Sequence, residues 1–116
     1  IMSNGSTKQI LEDMLDLSVV VIRYAESQKV NRSIQDQLIR AVTSIGANYS
    51  EAQDASSKKD FLNKIYIAKK EASETVYWLK LLARLNETDE NLALEDRARK
   101  FVLLLQKIIN TSKEKS

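Results

Sequence analysis

The sequence has no cysteine, no histidine and no proline, and its only glycines are Gly5 and Gly46. Without cysteine there is no disulfide framework and no thiolate metal site. Without histidine the commonest general base and metal ligand is missing. A chain with no proline and almost no glycine is short of turn-making residues, which argues against hairpin-rich sheets and for long helices. No apolar run approaches the roughly 20 residues that a membrane-spanning helix needs. The N-terminus shows no signal-peptide core, so the expected compartment is the cytoplasm, with no membrane partner. An excess of one charge is also lacking: 18 Lys and Arg stand against 16 Asp and Glu, a net charge of +2. So weak an overall field requires any nucleic-acid site to be a local cluster of cations.

What is present is amphipathic helix. A length of 116 residues is one domain's worth, and 43% hydrophobic with 29% charged residues is a globular mixture. Residues 1–6, IMSNGS, read as a flexible lead. A first helix is expected from about Lys8 to Gln28, because Ile10, Met14, Leu17, Val21 and Tyr24 recur on one face. A second row, Leu11, Leu15, Ile22 and Ala25, makes this stripe wider than one partner helix needs. Ser6 and Gln9 have capping-box spacing. VNRS, residues 30–33, breaks the pattern, with Asn31 or Ser33 as N-cap.

The second helix runs from about Ile34 to Gln53 and buries Ile34, Leu38, Ala41, Val42, Ile45, Tyr49 and Ala52. Gly46 costs about 1 kcal/mol against alanine in mid-helix, which suits a place where another backbone comes close. Asn48, beside the apolar face, needs a partner for its amide. After DASS, residues 54–57, Ser57 and Asp60 form a cap pair for a third helix from Lys58 to Leu85. NETD, residues 86–89, precedes a fourth helix capped by Thr88 or Asp89, with an apolar face of Leu94, Ala98, Phe101, Leu105, Ile108 and Ile109. Residues 113–116 fray. The reading is an all-α, antiparallel up-down-up-down four-helix bundle in one domain, residues 7–112.

The third helix is the unusual one. Between Lys58 and Lys80 it holds six lysines and three acids. At about 100° per residue, Lys58, Lys59, Lys69, Lys70, Lys80 and Arg84 share an arc of roughly 120°, with Tyr66 and Tyr77 inside it. Asp60, Glu71 and Glu74 fall outside that arc. The fourth helix mixes Arg97, Arg99, Lys100 and Lys107 with Glu95 and Asp96, an ordinary solvated surface. A rod of cations with interleaved tyrosines suits an RNA backbone, since lysines neutralise phosphates and tyrosines stack on unpaired bases. The competing reading is that the lysines lie along apolar neighbours or pair with acids for little net energy. Ile67, Trp78, Leu81 and Leu85 form a second apolar patch across from the core stripe, which predicts self-association.

The stretch SIGANYSEAQDASSKKDFLNKIYIAKKEASETVYWLKLL, residues 44–82, resembles the bacterial four-helix-bundle proteins encoded in intervening sequences of 23S ribosomal RNA genes. The resemblance rests on Ser44 to Asn48 with Glu51 and Ala52, on Ser57, Lys58, Asp60 and Phe61, and on Lys70, Glu71, Ala72, Glu74, Tyr77, Trp78 and Leu79. It implies an antiparallel bundle assembled as a ring of five and no enzymatic activity. It also implies kinship with the accessory variability protein of diversity-generating retroelements, which works with a reverse transcriptase and its RNA.

An enzyme reading has little to stand on. Glu51, Glu71 and Asn48 could meet inside the bundle; di-iron bundles use Glu-x-x-His pairs and there is no histidine, which leaves only a carboxylate Mg²⁺ site open. The glutamates fit better as partners of Lys or Arg. No catalytic residue, metal, cofactor or small-molecule substrate is expected. The two functional readings are a pentameric bundle that binds RNA or an RNA–protein complex through the third helix, and a purely self-associating protein–protein scaffold.

Overall fold

The computed structural model describes residues 4–115, and of Asn4 and Gly5 the backbone alone. Four helices follow one another: α1 (Asn4–Ser27), α2 (Arg32–Gln53), α3 (Lys58–Leu85) and α4 (Leu92–Glu114). No strand occurs among the described residues. The connections, 28–31, 54–57 and 86–91, are too short to carry the chain back along a helix, so successive helices run antiparallel. Contact is most extensive between α2 and α3, then between α3 and α4, then between α1 and α2, and α4 closes lightly onto α1. This is the up-down-up-down bundle.

One hydrophobic cluster runs through it. Met14, Leu17 and Val21 of α1 meet Leu38, Val42, Ile45 and Tyr49 of α2, Ile65, Leu79 and Leu82 of α3, and Leu105 and Ile109 of α4. Of the face expected on the second helix, Ile34 alone is half-buried and the rest is buried. Gly46 is buried against α1, where an added Cβ would lie 3.4 Å from Met14 Cβ and 3.9 Å from Leu11 Cδ1. The expected close neighbour is thus a side chain rather than a backbone, and the contact an alanine would make is an ordinary one. Along the same seam, Ser18 Oγ donates to the Val42 carbonyl at 3.1 Å.

The helix ends differ from the sequence reading in three places. α1 is already helical at Asn4, so residues 4–6 of the expected lead are helix and Ser6 is not a cap; residues 1–3 lie outside the described residues. First-turn residues donate to no intrahelical carbonyl, so Gly5 does not interrupt the helix there. α4 continues to Glu114, where fraying was expected from 113 onward. The Lys113 ammonium lies over the Tyr66 ring, 5.3 Å from its centroid, a cation–π contact that ties down the last turn. Ser116 lies outside the described residues. Lastly, α4 is led in by Asn91 rather than Thr88 or Asp89, and Asn91 makes no side-chain cap. Its amide is turned inward instead and donates to the Leu79 carbonyl.

Two caps match their residues. Asn31 Oδ1 accepts from Ser33 N at 2.8 Å, and Ser57 Oγ accepts from Asp60 N at 3.0 Å. α3 ends in a Schellman turn: Thr88 N donates to the Ala83 carbonyl at 3.0 Å and Glu87 N to the Arg84 carbonyl at 3.4 Å. The motif requires a left-handed residue at Glu87, which has φ 51°. That position favours glycine, and a side chain there is strained. Glu87→Gly is therefore expected to stabilise the protein by about 1 kcal/mol. A urea titration checks it, with a higher midpoint at unchanged slope as the expected result.

Candidate nucleic-acid interface

The position of α3 between α2 and α4 decides which of its side chains meet water. Its buried residues, Ile65, Ala68, Ala72, Thr75, Leu79 and Leu82, set the inward direction. To one side of this stripe lie the acids. Arg40 of α2 donates from Nη2 to Glu74 Oε1 at 2.9 Å and from Nη1 to Glu71 Oε1 at 3.3 Å. Gln37 Oε1 accepts from the same guanidinium at 3.1 Å. Glu71 is buried, and this partner offsets the cost of burying its carboxylate. Asp60 is held at the start of α3, where its Oδ2 accepts from Ser56 N at 3.4 Å.

To the other side, towards α4, lie the cations and tyrosines. Lys69 is half-buried and donates to Gln106 Oε1 of α4 at 2.5 Å. Tyr66 lies beneath Lys113. By helical spacing Lys59, Lys70, Tyr77, Lys80 and Arg84 continue this side, and all five are exposed. Lys59, Lys70, Lys80 and Arg84 form no ion pair among the described residues. Tyr77 is 60% and Tyr66 41% exposed, so both rings are open to a stacking partner. Lys58, also exposed, stands at the start of the row. The eight residues singled out from the sequence thus share one side of one rod. Lys64, the remaining cation of α3, pairs with Glu51 of α2 at 3.3 Å.

Sequence reasoning missed two things here. One is the share of α4: Gln106 and Lys113 reach across to the α3 row from a helix that reads as ordinary surface. The other is Arg40, whose only sequence signal is that α2 carries a cation on the side facing the acids of α3. The residues considered for a metal are occupied in other ways. Glu51 pairs with Lys64, Glu71 with Arg40, and Asn48 Nδ2 donates to the Ser44 carbonyl at 2.9 Å.

The second apolar patch divides. Trp78 packs against the edge of the core, half-buried, with its ring edge-on to Tyr77 at a centroid distance of 5.1 Å. Ile67 and Leu81 are half-buried, and Leu85 is 53% exposed. α1 leaves Leu15, Val19 and Val20 exposed on its outer side. Away from the α3 row, burial raises the pKa of the Tyr24 hydroxyl above the ordinary tyrosine value, and the carboxylates of Glu90 and Glu95 add to this. Burial likewise raises Tyr49, opposed by a hydrogen bond with Thr7.

These features define an all-helical, four-helix-bundle protein with one cationic, tyrosine-bearing side. Residues 7–113 match the family model of the 23S rRNA-intervening sequence protein, and the chain belongs to that family. It is similar to a crystal structure from Bacteroides thetaiotaomicron of a protein with unknown function from the S23 ribosomal protein family. The two agree with a TM-score of 0.79 at 35% identity, over 86% of this chain and 97% of the other. No curated protein matches.

Removing the guanidinium strands a buried carboxylate. Arg40→Ala is expected to destabilise the bundle by about 2 kcal/mol, and adding Glu71→Gln to recover part of the loss. Denaturation of the two variants checks this; equal stability of Arg40→Ala and the parent protein would count against the clamp.

Proposed function

We propose that the protein is a non-enzymatic, self-assembling bundle that binds single-stranded RNA along the α3–α4 side. One observation carries the reading: the carboxylates of α3 are drawn to Arg40 and to the helix start, while Lys59, Lys70, Lys80 and Arg84 have no ion-pair partner among the described residues. Cations compensated by neighbouring acids gain little from a phosphate, whereas uncompensated ones gain the full release of counterions. Tyr66 and Tyr77 add exposed rings at intervals along the same row, which suits unpaired bases. The side offers no set of base-reading groups, so it recognises strand state and charge rather than sequence. The family's name ties it to ribosomal RNA genes, which agrees with an RNA ligand.

The test is charge reversal. Lys59→Glu, Lys70→Glu and Lys80→Glu together are expected to remove retention on single-stranded RNA. In the single variants each lost lysine lowers the slope of log K against log salt by about 0.7, read between about 50 and 200 mM. Circular dichroism monitors the fold. Undiminished retention by the folded triple variant would rule the side out.

Self-assembly is supported by a different observation. Leu15 (52% exposed), Val19 and Val20 on α1 and Leu85 on α3 are large apolar side chains left in water. Contact between two unlike patches is heterologous and closes into a ring where the rotation between copies is a whole fraction of a turn, as in the ring of five that the resemblance implies. Leu85→Glu is expected to shift the particle to smaller species by light scattering; an unchanged mass would remove the α3 patch from the interface.

A further inference from the structure

The antiparallel topology gathers the N-terminal ends of α1 and α3 and the C-terminal ends of α2 and α4 at one end of the bundle. A cavity of about 580 Å³ opens there. That is the size range of small-molecule sites and far more than a lone inorganic ion needs. Phe61 and Ile108 give it an apolar wall, and Lys58 and Lys115 stand at its rim. Among the described residues that line it there is no carboxylate.

Two independent features point to an anion. The first is the start of α3, whose leading peptide N–H groups lack intrahelical acceptors and form the positive end of the helix dipole. Asp60 in the same first turn partly offsets that end and its N–H is capped by Ser57 Oγ, but its carboxylate lines the neighbouring outer groove with Lys59 and Tyr66 and not the cavity. The second feature is Ser112 of α4. It lines the cavity, is 1% exposed, and its Oγ has no hydrogen-bond partner. A helical serine ordinarily satisfies itself on the carbonyl four residues back, and a buried hydroxyl that does not do so calls for an explanation.

We propose that this cavity binds a phosphate monoester carried on a body of nucleoside size. The phosphate takes the α3 start, Lys58 and the Ser112 hydroxyl, and the base lies against Phe61 and Ile108. Thr7 and Ser57 bring hydroxyl groups to the remaining wall, suited to a sugar. The ligand has two possible sources, a free nucleoside monophosphate or the 5′-phosphorylated end of an RNA strand. The cavity and the outer groove share Ser57 and Lys58, so a strand lying along α3 would deliver its end there. Only the RNA source rests on the reading of α3 given above.

The experiment titrates the full-length chain with uridine 5′-monophosphate, uridine and inorganic phosphate by calorimetry. Saturable binding of the monophosphate is expected, at least about tenfold tighter than either fragment. Ser112→Ala removes an unpaired hydroxyl, so the fold is retained, and it is expected to weaken binding about five- to tenfold. Lys115→Glu, at an exposed position, is expected to weaken it as well. Lys29→Glu, at an exposed position in the connection at the opposite end of the bundle, leaves it unchanged. For the RNA source, 5′-phosphorylated oligouridylate binds more tightly than its 5′-hydroxyl form, and Ser112→Ala erases that difference. The reversals at Lys59, Lys70 and Lys80 instead weaken both forms alike. Absence of saturation by uridine 5′-monophosphate at millimolar concentration, or affinities unchanged in both Ser112→Ala and Lys115→Glu, would overturn the site while leaving the α3 reading to its own test.

Discussion

The rotation of α3 about its own axis is the constraint on which the surface depends, and Arg40 holds it. A planar guanidinium presents a fork of donors, and here it spans Glu71 and Glu74, one helical turn apart. Glu71 is buried, and the guanidinium offsets the cost of taking its carboxylate out of water, whereas Glu74 and Arg40 are partly in water and add less. The clamp therefore acts more as a register device than as a store of stability. A slip of α3 by one residue would swing its side chains through about 100°. It would strand Glu71 and carry the tyrosine row against a neighbour.

From this follows the division of α3 into two sides. Lys64 answers Glu51 and Arg40 answers the acids on the α2 side, so opposite charges cancel there. On the α4 side Lys69 and Tyr66 lean on Gln106 and Lys113, contacts that hold their side chains without neutralising the row. A chain with a net charge of only +2 can thus present one strongly positive strip. The charges are sorted between two sides of one helix rather than accumulated over the molecule.

Much of this was legible before any coordinates. Helix number, order and core faces follow from apolar spacing, because burying one stripe of each helix admits few arrangements when the loops are short. The cation row followed from the same spacing, since residues eleven apart return to nearly the same direction. What the sequence hid were choices between competing partners. Asn91 is a sound cap by type, yet its amide is used inside the bundle. Glu87 stands at a position that favours glycine because the Schellman hydrogen bonds of its neighbours hold it there. Trp78 was grouped with Ile67, Leu81 and Leu85 by direction alone. A ring that large reaches back over the edge of the core, while the smaller side chains remain further out.

The apolar rows of α1 and α3 and the cation strip also compete for space. Leu85 and Ile67 lie roughly 60–100° round the rod from Tyr66 and Tyr77, so a neighbouring copy seated on them would border the strip rather than cover it. In the ring assembly proposed above, the strips of successive copies would stand at regular intervals. A single strip of four uncompensated cations binds a strand weakly and with strong salt dependence. Several strips on one rigid ring would hold the same strand with an effective concentration fixed by the ring's geometry, which raises avidity without any new contact. On the proposed reading, oligomerisation and RNA binding are not alternative functions. The apolar patches would make a modest row of lysines and tyrosines sufficient.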